Sequence, residues 1–453
     1  MRAQLSDLLT LIPGARMTAN AAFNGVSTNS KAIARANVFV ALRGERFDAH
    51  DFLQDVVEQG AAAVVVEHIP DGFVLPALVV NDTRYALGQM AHFWRRQFNI
   101  PVIGVTGSNG KTTVKEMIAA IFSAAFGEEN YVSTRGNLNN EIGVPLTLFR
   151  LDASHRAAVI EMGMNHAGEI ARLAEIAEPT VGLVNNAQRE HQEFMSSVAA
   201  VAEENGSVIR LLENAGCAVF PADDVYASLW QAYAGQRRIV SFGLDASADV
   251  HGHWQARDFG SDLHINAAGK TITVSLAAAG IHNVRNALAA CAATLAIGIN
   301  AESIARGLQS FTPVAGRLQR KNARNGALVI DDTYNANPDS VRAAIDVLAA
   351  APAPRTLVLG DMGEVGSEGV AFHEEIGSYA RTRHIEQLFT LGTLARHASL
   401  AFGDAARHFD TMETLSQEIA AVPSRASVLV KGSRFMKMER VVDMLTGAAA
   451  GGH

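Results

Sequence analysis

The chain has 453 residues, 48% of them hydrophobic and 19% charged, and a net charge of −8. That length suggests about three domains, and the apolar content excludes an intrinsically disordered chain. The acidic balance argues against a nucleic-acid-binding protein, which would carry a basic footprint.

The first 85 or so residues hold two short strand-like runs, "NVFVAL" and "AAAVVVE", around a helical stretch near "HDFLQDVVEQGA". They read as a small α/β unit. "RYALGQMAHFWRRQF" follows with apolar positions three and four apart, the period of an amphipathic helix. From residue 101 to about 312, apolar runs alternate with helical segments. "PVIGVT", "AAVIEM" and "TVGLVNN" end in polar or charged residues, as strands do in a parallel sheet whose site lies at their carboxyl ends. "HINAAGKTITVSL" alternates as an exposed hairpin, and "IHNVRNALAACAATLAIGI" is a long helix. Pro313 and Gly316 mark a linker. Beyond it "GALVIDD", "RTLVLGD", "EQLFTLG" and "SVLVKGS" are buried strands separated by helices, a second βαβ-type sheet. The terminal "GAAAGGH" reads as frayed.

Cys217 and Cys291 lie far apart in apolar surroundings and read as reduced core residues. Ser6 and Asp7 interrupt the apolar start, so no secretory signal is read, and the longest apolar stretch, Ala287 to Ile299, is too short to span a bilayer. A cytoplasmic protein is the expectation.

Chemistry concentrates first in "GVTGSNGKTT", residues 104 to 113. Gly107 and Gly110 let backbone N–H groups converge on a phosphate, and the following helix offers its positive end. Lys111 can reach the outer phosphates, and a hydroxyl of Thr112 or Thr113 can ligate Mg²⁺. The usual phosphate-loop spacing fails, because Val105 stands where its first glycine belongs. Glu161 and His191 each follow an apolar strand, where metal ligands of such a sheet would sit. A histidine is less usual for Mg²⁺ than an oxygen ligand. "HGHW" alternates like a strand and is not read as a metal site.

"GVTGSNGKTT", "GNLNNEIGVPLTL", "EMGMNHAGEI", "DDTYNANPDS", "LGDMGEVG" and "VLVKGSR" together resemble the Mur ligase family, over essentially the whole chain. Folylpolyglutamate synthetases carry a similar glycine loop, so the loop alone is not decisive. "LGDMGEVG" with "DTYNANPDS" is the most specific pair, and resembles members that add a dipeptide rather than one amino acid. The resemblance implies an α/β chain of three domains: residues 1–85 holding the UDP-sugar, a central P-loop-type ATPase with a mainly parallel sheet over 86–312, and a Rossmann-like domain over 313–453. It implies ATP and Mg²⁺, with UDP-N-acetylmuramoyl-tripeptide and D-alanyl-D-alanine as substrates, and the chain is expected to work as a monomer, without nucleic acid or membrane.

Carried over, the loop Gly107, Ser108, Asn109, Gly110, Lys111, Thr112 and Thr113 would bind ATP, closed over by Asn283, Arg317 and Asp332. Thr112, Glu161 and His191 would hold metal, and Lys111, Glu161 and His191 would act in catalysis. Ser30 and Arg43, in the "ALRGERFDAHDF" region, would face the UDP-sugar. Asn137, Asn139 and Asn140 would face the peptide, with Tyr334, Asn335 and Asn337 beside the nucleotide. One departure stands out. Relatives carry, after the histidine, a lysine whose carbamoylated side chain reaches a second Mg²⁺. Here Asn205 occupies that place, and no lysine occurs between Lys115 and Lys270. Glu203 and Glu204 could take over the charge, and Glu204 is the one favoured as a metal ligand. The rival readings are a ligase of the same group adding a single amino acid, and a nucleotide switch that hydrolyses ATP without either organic substrate.

Overall fold

The computed structural model describes residues 1–44 and 47–448. Glu45 and Arg46 of "ALRGERFDAHDF", and residues 449–453 of the tail, lie outside the described residues.

The N-terminal unit is built on a five-stranded sheet in the order Arg16–Met17, Ala77–Val79, Ala63–Val66, Val38–Val40, Val26–Ser27, parallel except at the Arg16–Met17 edge. Asp82 then starts the helix Thr83–Arg95 by accepting hydrogen bonds from the N–H groups of Arg84 and Tyr85. Ala86, Leu87, Met90 and Ala91 form its buried face. They join one core that also holds Val38 and Val65 behind them and Leu148 and Leu173 ahead. The 85/86 division therefore falls inside the first turn of a helix packed against both units.

The central sheet has nine strands, ordered Lys270–Leu276, Gly260–Ala267, Val250–Arg257, Arg238–Gly243, Cys217–Pro221, Val181–Val184, Val102–Thr106, Ala157–Glu161, Tyr131–Ser133. Val102–Thr106 pairs in parallel with Ala157–Glu161 on one side and Val181–Val184 on the other. Such a reversal of strand order opens a crevice at the carboxyl ends, and the glycine loop emerges into it. "HINAAGKTITVSL" does form an antiparallel hairpin, exposed on one face and covered on the other. Leu263, Ile265, Ile272 and Val274 are buried in a core shared with Leu288 and Ile304, which lie on the helices Ile281–Ala296 and Ala301–Ser310.

After Pro313 and Gly316 the chain builds a six-stranded sheet ordered Gln319–Asn322, Leu328–Asp332, Ser427–Lys431, Arg355–Gly360, Gln387–Leu391, Ala406–Phe409. Only its Gln319–Asn322 edge is antiparallel. One core holds Ile330, Leu357 and Leu429, and another holds Val329, Val358 and Val428. Alternate residues of the same strands thus feed opposite faces, as in a sheet covered on both sides.

Candidate active site

The carboxyl ends of the central and C-terminal sheets meet across a cleft of about 1210 Å³. The loop between Thr106 and Lys111 forms its floor. Gly107 has φ 134° and Gly110 φ 82°. A Cβ at 110 would stand 2.4 Å from Asn286 Oδ1, and one at 107 would meet the backbone N of Asn185 and Asn186 at 3.1 Å. Both the backbone angles and the crowding demand glycine. The helix Lys111–Phe126 starts here with no acidic residue in its first turn, so its N-terminal field stays positive toward the cleft.

Lys111 folds back over the loop. Its Nζ donates to Gly107 O and, at 3.1 Å, to Ser108 O, and it stands 3.4 Å from Glu190 Oε2. The Thr112 hydroxyl donates to Glu161 Oε1 at 3.1 Å, and Asn139 Nδ2 donates to the same oxygen at 2.8 Å. Glu161 is buried at the end of its strand, and its Oε2 has no partner. Asparagines steady the rest of the loop: Asn185 Nδ2 donates to Asn109 O at 2.8 Å and to Asn286 Oδ1 at 2.9 Å, and Asn286 donates to Asn283 Oδ1 at 3.1 Å.

The C-terminal domain supplies the facing wall. Asn337 caps the helix Pro338–Ala349 and its Nδ2 donates to Asn109 Oδ1 at 2.9 Å. Lys431 is buried, 2.5 Å from Asp332 Oδ2 and 2.9 Å from Asn335 O. The Arg317 guanidinium lies 4.2 Å over the Tyr334 ring, a cation–π stack.

Of the residues singled out in the sequence, Ser108 to Thr113 line the cleft, as do Asn137, Asn139, Asn140 and Glu161. So do His191, Asn283, Arg317, Asp332, Tyr334, Asn335 and Asn337. Gly107 lies beneath, shaping the loop. Ser30 and Arg43 are not brought there. The Ser30 carbonyl accepts from Gln59 Nε2 at 2.6 Å, and Arg43 pairs with Asp48 at 2.9 Å. The connection to the cleft runs through Arg84, whose guanidinium donates to Arg43 O at 3.1 Å and to Glu141 Oε1 at 2.7 Å.

Of the expected metal ligands, Thr112, Glu161 and His191 line the cleft, and Glu204 does not. Among the described residues no group of three or more His, Cys, Asp or Glu side chains is gathered to hold an ion. Thr112 and Glu161 touch, while His191 lies against Glu190 and Glu364. Glu204 does not enter the cleft. It is buried, and its Oε1 accepts from the N–H of Ile170, capping the helix Glu169–Ala177 from the side. Glu203 is exposed. Asn205 is buried, accepting from the Thr106 hydroxyl at 2.6 Å.

Three cleft residues, Glu190, Glu364 and Lys431, and the neighbouring Arg189 escaped the reading from sequence. His191, at φ 50°, sets its Nδ1 2.6 Å from Glu364 Oε2, and Glu364 itself has φ 57°. The hydrogen bond to His191 holds the Glu364 carboxyl below the usual range. Arg189 reaches the C-terminal domain at Asp339 and Glu375. Glu190, between Arg189 and His191, is buried with Oε1 unpaired. Lys431 lies within the quoted "VKGS" but carried no role. A charged run "REHQE" in a loop gives no sign that its members point inward.

With this geometry in hand, similarity to known proteins is specific. Residues 105–294 match the Mur ligase middle domain, and residues 316–434 match the Mur ligase, glutamate ligase domain. The UDP-N-acetylmuramoyl-tripeptide–D-alanyl-D-alanine ligase of Escherichia coli strain K12 is 38% identical over 97% of this chain and 98% of its own. The chain belongs to the Mur ligase family. The Haemophilus influenzae ligase of the same name is 39% identical over 92% of each chain. Among solved Mur ligases, MurF from Acinetobacter baumannii superposes with a TM-score of 0.92 at 32% identity, covering 99% of both chains. MurF from Thermotoga maritima, solved in complex with ADP, superposes at 0.83 with 27% identity, over 94% of this chain and 97% of its own.

Proposed function

We propose that this Mur ligase joins D-alanyl-D-alanine to UDP-N-acetylmuramoyl-tripeptide with conversion of ATP to ADP and phosphate. The observation that carries the reading is the two-sided cleft, with a phosphate-type loop on one wall and Lys431, Arg317 and Asn337 on the other. Relatives named for this reaction match over nearly the full length of the chain. The division of labour would follow the three units: UDP-sugar on residues 1–85 near Ser30 and Arg43, ATP on 86–312, and closure and amine recognition by 313–453.

A carboxylate is a poor electrophile, so its oxygen first takes the γ-phosphoryl group to give an acyl phosphate. The dipeptide amine then attacks the carbonyl, and phosphate leaves from the tetrahedral adduct. In the first step two anions must meet. Lys111, on leaving its loop carbonyls for phosphate oxygens, would offset that repulsion, and loop N–H groups would add oriented dipoles. Asn137 and Asn140 would orient the peptide end, and Arg317 with Asp332 would close over the nucleotide. Thr112 and Glu161 offer oxygen donors, and the unpaired buried Glu161 Oε2 fits a hard divalent cation such as Mg²⁺. Bound there, such an ion would neutralise phosphate charge. The acyl phosphate must be kept from water, which the facing C-terminal wall serves.

One chain carries both walls, which supports a monomer. No helix among the described residues is long and apolar enough to cross a membrane, in keeping with work in the cytoplasm on a nucleotide-linked substrate. The test is ADP formation across a panel of amines with the UDP-linked tripeptide. Release requiring both organic substrates, and fastest with D-alanyl-D-alanine, is the expected result. Steady hydrolysis without them would instead favour a nucleotide switch, and preference for a single amino acid would favour a sister ligase.

A further inference from the structure

The segment "DMGEVGSE" joins the strand Arg355–Gly360 to the helix Gly369–Thr382. Its Gly363 and Glu364 line the cleft, and Met362 is buried beneath them. Glu364 reaches across to the central domain, with Oε2 2.6 Å from His191 Nδ1 and its carbonyl accepting from the Glu193 N–H at 3.2 Å. It does so at φ 57°, a left-handed backbone that a glutamate keeps only where the surroundings enforce it.

The enforcing contacts fall on the two preceding residues. The Gly363 N–H donates to Ser433 Oγ at 2.6 Å, and the Met362 N–H donates to His373 Nε2 at 3.0 Å. Asp361 is engaged elsewhere, accepting from the Ala395 N–H at 2.7 Å. His373 is fully buried, and its Nδ1 stands 2.6 Å from the Gly369 carbonyl oxygen. A carbonyl oxygen only accepts and a backbone N–H only donates, so the ring carries its proton on Nδ1 and keeps Nε2 bare. Burial pushes the imidazole pKa down, and nearby His397 adds to that, against the Gly369 hydrogen bond and the Asp361 carboxylate. The ring is therefore neutral near pH 7, the form in which it can accept.

We propose that His373 is a positioning residue for the ligation: it touches no reactant, and it acts by pinning Met362 so that Glu364 projects from the cleft wall. Without that acceptor the Met362–Gly363 peptide is free to turn, Glu364 relaxes from its left-handed angle, and the wall facing the incoming amine changes shape. The inference rests on the ligase reading above.

Hydrogen exchange on the full chain, resolved to single amides by mass spectrometry, reads the pin with no substrate present. Failure of the loop geometry is thus separable from failure of the ligase reading. His373→Leu fills the space but cannot accept, so the Met362 and Gly363 amides should exchange about tenfold faster or more, as for one lost buried hydrogen bond. With D-alanyl-D-alanine, kcat should fall by a like factor, while the Kd of an ATP analogue stays within about threefold. His373→Gln, whose amide oxygen can accept in place of Nε2, should recover most of both. A histidine that merely supports the fold would lose as much in either variant and spread the faster exchange along the helix Gly369–Thr382. That result overturns the proposal, as does an unchanged Met362 amide in a folded His373→Leu, or faster exchange with kcat intact. Should His373→Leu fail to fold, nitrogen resonance of the wild-type histidines decides: a bare Nε2 near neutrality supports the pin, and a protonated one overturns it.

Discussion

Arg189 of the central domain grips Asp339 of the C-terminal domain, 150 positions further along the chain, with Nη2 2.6 Å from Oδ1 and the Arg189 backbone N 2.9 Å from Oδ2. Its Nη1 reaches Glu375 Oε2 at 2.7 Å, and its guanidinium lies 5.4 Å over the Phe372 ring. A planar fork meeting two carboxylates and an aromatic face is a geometry that lysine cannot copy. Because Arg189 directly precedes Glu190 and His191, the same loop that joins the domains presents side chains to the cleft.

Arg189→Ala should therefore loosen closure while leaving each domain folded. Losing charged hydrogen bonds of this kind costs on the order of 2 kcal/mol, or about a 30-fold drop in the closed fraction. Small-angle scattering with ATP analogue should show a larger radius of gyration than wild type, and kcat should fall more than nucleotide affinity. Arg189→Lys should recover little. An unchanged radius and kcat in the alanine variant would contradict the clasp.

Acid should open the same clasp. Hydrogen bonding to Arg189, and then to Arg342, depresses the Glu375 carboxyl against the opposing effect of its burial. A depressed carboxylate contributes closure energy that is complete above the ordinary glutamate value of about 4.3 and is lost as pH falls through the lower folded value. Closure followed by scattering should be flat near neutrality and decline only in acid. In Glu375→Gln part of that acid step should vanish. A transition centred above pH 6 would assign it to some other group.

Lys111→Ala should abolish ligation with the fold retained. Its Nζ is the cation nearest the loop, and removing such a donor costs about 3–4 kcal/mol of transition-state stabilisation, several hundredfold or more in rate. Circular dichroism and thermal melting should stay near wild type. Near-normal turnover in the folded variant would sink the loop assignment.

Activity should not depend on bicarbonate. Asn205 cannot form a carbamate, and its buried amide oxygen accepts from the Thr106 hydroxyl at a strand's carboxyl end. Degassed, bicarbonate-free assays should match ordinary ones within error. A reproducible rise on adding bicarbonate would refute this.

Gly307→Ala should destabilise the central domain without touching the cleft. A Cβ there would lie 2.4 Å from Ile121 Cα on the helix Lys111–Phe126, and backbone cannot step aside as a side chain can. Overpacking of this kind costs about 1–3 kcal/mol, visible as a lower Tm. An unchanged Tm would show that the two helices slide apart freely.

Local chemistry made much of this molecule readable from its residues. Gly107 and Gly110 announce their backbone angles, the strand runs announce two covered sheets, and Glu161 and His191 announce strand ends, because each depends on near neighbours in the chain. The hairpin near residue 265 was readable as a hairpin but not as one with a covered face, since alternation says which residues share a face and not what covers it. Glu190 and Glu204 show the limit most clearly. Both are glutamates in polar stretches. One faces the cleft and the other caps the helix Glu169–Ala177, a difference set by packing between segments far apart in sequence. The Arg189 clasp likewise exists only because two sheets, separately encoded, bring their carboxyl ends together, and no period or spacing within either one records the distance between them.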